Sequence, residues 1–254
     1  PDLSRYVSSL RMVTSWNKSG PRTVGRISSN TEDWPLDMPR VTEILDTFPE
    51  RELVEWQLRV GKVKAKQVGD TAKRIGTAVD LLIQEDIRGS AGMPVEVLMS
   101  GMEPTIASCW IAWERFLTEH AEFLPSLIAM QPELVYEDVT GHPDFVLKRG
   151  DGWGILDVKC AAAIRSAYWI QTAAYGWLRR MSFPYAPDRS NAPTFLAILR
   201  LDKTSGLYEY QELTKPEDLL AAEEVWLAYR KLYQWRERTA EQNRRVAEEE
   251  SHVA

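Results

Sequence analysis

The chain has 254 residues, a formal net charge of −6 at pH 7 and 44% hydrophobic residues, enough apolar material for a sizeable core. The acidic balance argues against a protein that wraps duplex DNA through a broad basic surface. Two cysteines, Cys109 and Cys160, are too few for a disulfide framework or a cysteine zinc site, and no apolar run reaches the length of a membrane span.

The N-terminal part is predicted to be an irregular arm followed by helices. Residues 1–37 are rich in Ser, Gly, Asn, Thr and Pro and show no lasting apolar period, which is typical of an arm outside the folded core. Residues 38–254 are predicted to form a single domain. Helices are expected within it at 42–48, 51–60 and 68–88, the last with apolar residues at the spacing of one buried face.

Basic residues are concentrated in two stretches of this acidic chain. Residues 1–30 hold five Lys and Arg side chains against Asp2 alone, and residues 59–74 hold six against Asp70 alone. Local concentrations of positive charge are candidate contacts for phosphates. A solvated helix face explains the second stretch equally well.

Strands and helices alternate through the rest of the chain. A linker rich in Gly and Pro is predicted at 89–104 and a helix at 105–119. Strands are then predicted at 128–136, 144–148 and 153–160, a helix at 165–181, strands at 194–200 and 207–212, and a long charged helix at 216–249. This order predicts an α/β fold.

Two strand-like segments joined by a glycine turn carry the strongest functional signal. Phe145–Leu147 and Trp153–Val158 consist largely of good strand formers, and Lys148–Gly152 between them has the glycines and aspartate of a tight turn. Folding this hairpin brings Asp144, at the start of the first strand, beside Asp157, near the end of the second.

The residue types at the end of this hairpin indicate chemistry with a metal ion. The period of two along a strand puts Asp157 and Lys159 on one face and Val158 on the other. Two neighbouring carboxylates repel unless a cation sits between them, and oxygen ligands suit Mg²⁺ or Mn²⁺. A lysine beside that cation can hold a water molecule or stabilise charge on a phosphate. The pattern therefore indicates metal-dependent phosphodiester hydrolysis; a surface hairpin with ordinary charges is the alternative.

At these residues the chain resembles the PD-(D/E)xK nuclease superfamily and, within it, the RecB-like exonuclease branch. The matching residues are Asp144, then Asp157-Val158-Lys159, then Gln171 and Tyr175, which stand four apart and so share one helical face. The resemblance implies a restriction-endonuclease-like core with a central mixed sheet flanked by helices, a helical elaboration before it and a long C-terminal helix after it.

Two upstream segments extend the resemblance, which covers about residues 38–212 with a core at 68–212. Met38–Leu45 is similar to the opening of phage and mitochondrial single-strand exonucleases of this branch. Gly76–Asp80 resembles a Gly-Thr-x-x-His segment, with an aspartate where the family usually has histidine. An aspartate can still ligate Mg²⁺ or Mn²⁺ through oxygen, so the substitution is chemically tolerable, although it leaves the role of position 80 open.

The resemblance assigns roles to individual residues. Asp144, Asp157 and Lys159 are the implied catalytic residues, and the two aspartates are the implied metal ligands. The metal site is completed by the Val158 backbone carbonyl, with Asp80 and Glu133 as further candidates. Glu137 could take the place of Glu133, and the sequence does not choose between them. The implied substrate-binding residues are Gln171, Tyr175 and, as a further candidate, Thr77.

The function implied is that of a Mg²⁺- or Mn²⁺-dependent DNA exonuclease that leaves 5′-phosphate products, in DNA recombination, repair or phage DNA processing. Two alternatives stay open: a structure- or site-specific endonuclease, and a catalytically inactive DNA-binding scaffold. The expected partners are single- or double-stranded DNA and a single-strand annealing or other recombination protein, with no membrane, and a homo-oligomer is compatible with the sequence. The expected location is the cytoplasm of a bacterium or phage-infected cell, with an organellar matrix as the alternative.

Overall fold

A computed structural model of the protein describes residues 38–89, 101–182 and 191–253. The predicted arm at 1–37 lies outside these ranges, together with its basic residues, and so does most of the predicted linker at 89–104. The single domain predicted for the rest of the chain therefore stays a prediction over its full length.

A five-stranded mixed sheet forms the centre of the fold. In spatial order its strands are β1 (Leu127–Met130), β4 (Phe145–Arg149), β5 (Gly152–Cys160), β6 (Phe195–Leu201) and β7 (Tyr208–Leu213). Neighbouring strands are antiparallel except for β5 and β6, which run parallel. A parallel pair needs a crossover connection, and the helix between these two strands lies in that connection.

The single strand predicted at 128–136 is wrong, because this segment contributes to two different sheets. After β1 the chain leaves the main sheet, and β2 (Leu134–Tyr136) pairs with β3 (Val139–Gly141) in a separate two-stranded sheet. Gln131 has φ 45°, in the left-handed region, so an extended strand cannot continue through it. Glu137 has φ 51° and lies in the turn between β2 and β3, a strand that the sequence patterns do not predict.

Helices precede, interrupt and follow the strands along the chain. In the described ranges they are α1 (Val41–Asp46), α2 (Arg51–Val60), α3 (Lys62–Ile87), α4 (Pro104–Glu119), α5 (Phe123–Ser126), α6 (Ser166–Ser182) and α7 (Pro216–Val253). The sequence predicts all but α5, and it starts α3 at residue 68 instead of Lys62. The first turns of α3 carry no buried apolar residue, so they give no periodic signal.

The sheet is covered by helices on both faces. Side chains alternate between the faces of a strand. Phe145 and Leu156 pack in one cluster with α3 and α4, whereas Val146 and Ile155 pack in a second cluster with α1, α6 and α7. Full burial of such side chains contributes about 1.5–3 kcal/mol each. The two clusters therefore hold the helical layers against the sheet.

The observed architecture confirms the predicted fold class. It is an α/β fold with a central mixed sheet flanked by helices, with helices ahead of the first strand and a long C-terminal helix. The early part of that helix packs on α6, where Trp226 is fully buried, while Trp235 further along is 57% exposed. Of the helices that the structure describes, none combines the length and the apolar character needed to cross a membrane.

Substituting Gly154 is expected to destabilise the sheet. In Gly154→Ala the new Cβ would lie 2.4 Å from the backbone carbonyl oxygen of Phe195, and this oxygen belongs to the adjacent strand, so it cannot move freely. We expect the free energy of unfolding to fall by about 2 kcal/mol, measured by urea denaturation. Gly69→Ala is the control, because its Cβ would meet nothing within 4 Å in the described structure. A gain of up to about 1 kcal/mol is expected there, and an equal loss at both glycines would contradict the explanation.

Candidate active site

The β4–β5 hairpin brings the two predicted aspartates face to face. Phe145 pairs with Leu156 in the antiparallel register, so Asp144 lies opposite Asp157 one step further along. The turn at the other end of the hairpin contains Gly150 with φ 58°, a conformation that glycine adopts without strain. The local pattern of strand, turn and strand is therefore sufficient to juxtapose these carboxylates.

Asp157 is a buried carboxylate whose ion-pair partner is Lys159. Its residue is only 2% exposed, and the Lys159 Nζ contacts its Oδ2. Lys159 is also the hydrogen-bond donor to that oxygen, and no second donor among the described residues is placed on it. Burial lowers the pKa of Lys159, but the carboxylates of Asp157 and Asp144 outweigh this effect and raise it above its usual value. The lysine is therefore a fixed positive charge at neutral pH.

Asp144 lies at the edge of the same site with a different set of neighbours. Its Oδ2 accepts a hydrogen bond of 2.7 Å from the backbone N–H of Val158. Burial, followed by the nearby Asp157 carboxylate, raises the pKa of Asp144 well above its usual value, although Lys159 and the hydrogen bond from Val158 oppose the shift. The ionised form of this side chain is thus incompletely compensated in the protein alone.

Asp80 reaches the site from α3, on the other side of the hairpin. Its carboxylate accepts hydrogen bonds of 2.7 and 2.9 Å from the Gln131 side-chain amide and one of 3.0 Å from Gln84. Gln131 also donates its backbone N–H to the carbonyl oxygen of Asp144 at 2.9 Å. Gln131 therefore connects the Asp80 carboxylate to the backbone of Asp144. Sequence reasoning missed it, because a glutamine with positive φ has no sequence signal of the kind that Gly or Asn provides.

A cavity of about 260 Å³ opens between α3 and the end of the hairpin. Asp80 and Asp144 both line it, together with Lys159. Residues with small side chains, Ala72 and Gly76, form part of the wall that α3 contributes. The space is large enough for several water molecules or for a phosphate group and its neighbours.

Gln171 and Tyr175 meet on α6, as their spacing predicts. The Gln171 side-chain amide donates a hydrogen bond of 2.9 Å to the Tyr175 hydroxyl. Tyr175 is buried, and a Cβ on Gly141 would lie 2.8 Å from its ring, so the glycine is needed for this approach. Burial, then the Asp157 carboxylate, raises the pKa of Tyr175. Tyr175 therefore belongs to the electrostatic surroundings of the aspartates, with Gln171 beside it.

Three further candidates lie away from the described residues that line the cavity. Thr77 and Glu133 are exposed, on α3 and ahead of β2 respectively, and neither is part of the lining. Glu137 accepts a hydrogen bond of 2.6 Å from the Arg230 side chain of α7, so it contributes to the packing of that helix. Gln131, a few residues upstream of Glu133, is the residue that is hydrogen-bonded to Asp80 and to the backbone of Asp144, and the roles of Glu133 and Glu137 stay predictions.

Some of the oxygen ligands that a hard divalent cation needs are present in the site. Asp157 Oδ2 is buried with the Lys159 ammonium as its partner, and Asp144 is incompletely compensated, so both carboxylates keep lone pairs suited to Mg²⁺ or Mn²⁺. Nevertheless, no three His, Cys, Asp or Glu side chains in the described ranges converge closely enough to form a metal cluster on their own. The Asp80 carboxylate, held by two glutamine amides, is turned to those partners.

Comparisons with known proteins find only distant structural similarity. No protein-family model matches the chain, and no curated protein sequence matches it. Among solved structures, the protein SSO0001 is 10% identical over 80% of this chain and 79% of that chain, with a TM-score of 0.38. An alkaline exonuclease from Laribacter hongkongensis, LHK-Exo, is 12% identical over 52% of this chain and 69% of its own, with a TM-score of 0.30. The same enzyme in complex with dAMP is 12% identical over 81% and 94%, with a TM-score of 0.29. Likeness at these TM-scores carries no argument about activity.

Replacing Asp144 by asparagine is expected to stabilise the fold. The raised pKa means that the ionised Asp144 carboxylate is disfavoured in the folded state. A neutral amide keeps the oxygen that accepts the hydrogen bond from Val158, and it removes the cost of burying the negative charge at pH 7. We expect the free energy of unfolding in EDTA to rise by about 1 kcal/mol.

The increase in the free energy of unfolding caused by Asp144→Asn should become smaller as the pH falls. A raised folded-state pKa means that the wild type becomes more stable as the pH falls through that pKa, and its penalty is gone below the unfolded-state value of about 3.9. The difference between the two proteins should therefore shrink on acidification. Asp151→Asn, in the exposed turn of the same hairpin, is the control. A loss of stability in Asp144→Asn at pH 7 would contradict this description of the site.

Proposed function

We propose that the protein is a divalent-metal-dependent nuclease that hydrolyses phosphodiester bonds in DNA. The observation that carries the proposal is the charge balance of the Asp144–Asp157 pair, which faces a single ammonium, Lys159, at the edge of a cavity. Two carboxylates and one ammonium leave one negative charge without compensation, and burying such a charge costs several kcal/mol. A divalent cation in the same place removes the imbalance and brings the means of hydrolysis with it.

Mg²⁺ or Mn²⁺ is the proposed cofactor, held by the carboxylates of Asp144 and Asp157 and by the backbone carbonyl of Val158. When bound, such an ion neutralises the carboxylates, lowers the pKa of a coordinated water and stabilises charge that builds on a phosphate. Asp80 is a fourth candidate ligand, provided that it exchanges its glutamine partners for the ion. Glu133 is the least favoured candidate because it is exposed and away from the cavity lining.

Lys159 acts in this proposal as a cation and a hydrogen-bond donor. Its raised pKa keeps it protonated at neutral pH, so it does not serve as a general base. It orients the attacking water or binds an oxygen of the phosphate whose charge increases in the transition state. Tyr175, buried beside Asp157, braces the hairpin, and the half-buried Gln171 positions the substrate strand.

Exonuclease activity with 5′-phosphate products is favoured by the resemblance of the Gln171–Tyr175 helix and the Gly76–Asp80 segment to the RecB-like branch. A structure- or site-specific endonuclease uses the same catalytic groups and is the second candidate. Roles in recombination, repair or phage DNA processing, a partnership with an annealing protein and a cytoplasmic or organellar location are proposals on the same basis.

Removing either member of the Asp157–Lys159 ion pair should abolish cleavage. Asp157→Asn removes a metal ligand, and Lys159→Met removes the ammonium while keeping most of its volume. We expect each to lower the Mg²⁺-dependent rate of nucleotide release by at least about 10²-fold. Lys148→Met, an exposed lysine of the same hairpin, should retain the wild-type rate. Because Lys159 compensates the buried Asp157, circular dichroism and thermal melts must first establish that its variant is folded.

The same assay separates the two candidate activities. Linear single- and double-stranded DNA labelled at the 5′ or the 3′ end is compared with covalently closed circular DNA. Release of label from linear DNA alone indicates an exonuclease and reveals its polarity, whereas cutting of the closed circle indicates an endonuclease. Wild-type rates in both Asp157→Asn and Lys159→Met would refute the catalytic assignment.

Divalent cations are expected to stabilise the folded protein by binding at the aspartates. At a free concentration a hundredfold above the dissociation constant, one site contributes about 2.7 kcal/mol to the free energy of unfolding. Thermal unfolding with Mg²⁺, Mn²⁺ or EDTA measures the effect, and isothermal calorimetry measures the stoichiometry. Asp157→Asn should lose it and Asp151→Asn should keep it. A folded wild type without a specific divalent site would favour the third candidate, a DNA-binding scaffold without catalysis.

A further inference from the structure

The helix α3 consists of two halves with different surroundings. Its buried residues, Ile75, Val79, Ile83 and Gln84, all belong to the C-terminal half, which packs on the sheet. Before them, the residues from Lys62 to Arg74 are exposed except for the half-buried Ala65 and Ala72. Helices in proteins are stabilised mainly by packing of an apolar face. The N-terminal half therefore extends beyond the packed part of the fold with little burial of its own.

Three lysines of this exposed half stand in one row with Asp80. At 100° per residue, Lys62, Lys66 and Lys73 lie within about 40° of the direction of Asp80 around the helix axis. A rise of about 1.5 Å per residue spreads the row from Lys62 to Asp80 over about 27 Å. All three lysines are exposed, whereas Asp80 lines the catalytic cavity. The row therefore runs from open solvent to the candidate active site.

The surface beside the row is shallow and continuous with the cavity. Residues with small side chains follow the lysines along α3, at positions 65, 69, 72 and 76. Of these, Ala72 and Gly76 line the cavity itself. A Cβ added at Gly69 or Gly76 would meet no described atom within 4 Å, so the strip is open at these two positions in the described structure. An extended polymer can lie along it without displacing a side chain.

The acidic neighbours of the row are few and exposed. Lys66 forms an ion pair of 2.5 Å with Asp70 one turn away, and both side chains are more than 60% exposed. Asp46 of α1 feels the charge of Lys73. No acidic side chain of the described residues is within ion-pairing distance of Lys62. Exposed pairs of this kind contribute at most about 1 kcal/mol, so all three ammonium groups can exchange to a stronger anionic partner.

We propose that the row Lys62–Lys66–Lys73 is the track on which the phosphodiester backbone of the DNA substrate approaches the active site. The inference rests on the proposed nuclease function and specifies where the substrate strand lies. Charge complementarity selects the occupant: the row is a local line of positive charge on an acidic protein, and a nucleic acid strand is a line of negative charge. At about 3.4 Å per phosphate in a B-form strand, the 27 Å row spans about eight phosphates.

The test compares two triple variants that change charge equally. The row variant is Lys62→Gln, Lys66→Gln and Lys73→Gln; the control is Lys64→Gln, Lys215→Gln and Lys231→Gln, three exposed lysines outside the row. Glutamine is a good helix former, so α3 is preserved. Fluorescence anisotropy measures binding of a labelled 25-nucleotide single strand and of its duplex by the 254-residue chain. EDTA suppresses metal-dependent cleavage, and the salt concentration is varied.

We expect the row variant to bind at least about tenfold more weakly than the wild type at 0.1 M salt. The slope of log K against log salt should fall in magnitude by about 2 for the single strand and about 3 for the duplex, because three phosphate contacts are lost at about 0.7 and 0.9 each. The control should match the wild type in both respects. The comparison of single strand with duplex then identifies which form follows the track.

Two results would overturn the track. One is wild-type affinity and salt slope in the row variant, and the other is an equal loss in the control, which would indicate a general effect of net charge. The wild type is assayed for hydrolysis in parallel. If it cleaves DNA while the row variant binds normally, the track fails and the nuclease stands; if it neither binds nor cleaves DNA, the proposed function fails and the track with it.

Discussion

The placement of Asp157 in a nearly dry position opposite Asp144 is the constraint on which the rest of the site depends. A carboxylate that is 2% exposed requires compensation, and a second carboxylate nearby makes the requirement greater. Lys159 supplies one positive charge, and Val158 supplies a backbone hydrogen bond. The remaining negative charge is what a bound cation would compensate in the proposed function. Apolar residues of similar volume often fill such positions at equal or lower cost, so this arrangement is weak evidence for a role in stability.

The sheet places the two aspartates where side chains from both helical layers reach them. One layer brings Asp80 on α3, and the other brings Gln171 and Tyr175 on α6. The left-handed backbone of Gln131 ends β1 at the same point, so that its amide holds Asp80 while its N–H holds the chain at Asp144. The site is consequently rigid on the hairpin side and depends on side-chain amides on the α3 side, where exchange of hydrogen bonds for a ligand is easier.

Local patterns predicted the hairpin and long-range packing decided the rest. Asp144 and Asp157 could be placed together because strand alternation and a glycine turn act within a short stretch of chain. The α/β class followed from the order of elements, and the Gln171–Tyr175 contact followed from a spacing of four. Neither the role of Gln131 nor the exposure of Glu133 could be read in this way. Both depend on the backbone turn at Gln131, which its residue type does not signal, and on which layer of the fold then lies beside it.

The topology of the sheet also predicts an order in which the parts of the site form during folding. The hairpin that unites the two aspartates closes over a turn of a few residues, which is a microsecond event. Pairing of β5 with β6 requires closure over the whole of α6 and is therefore expected to be slower, and docking of α3 with Asp80 on the sheet is expected later still. The repelling carboxylates thus meet while water still surrounds them and screens their charge. The desolvation of the two carboxylates is therefore expected to cost free energy mainly in the late docking steps, when the helices exclude that water.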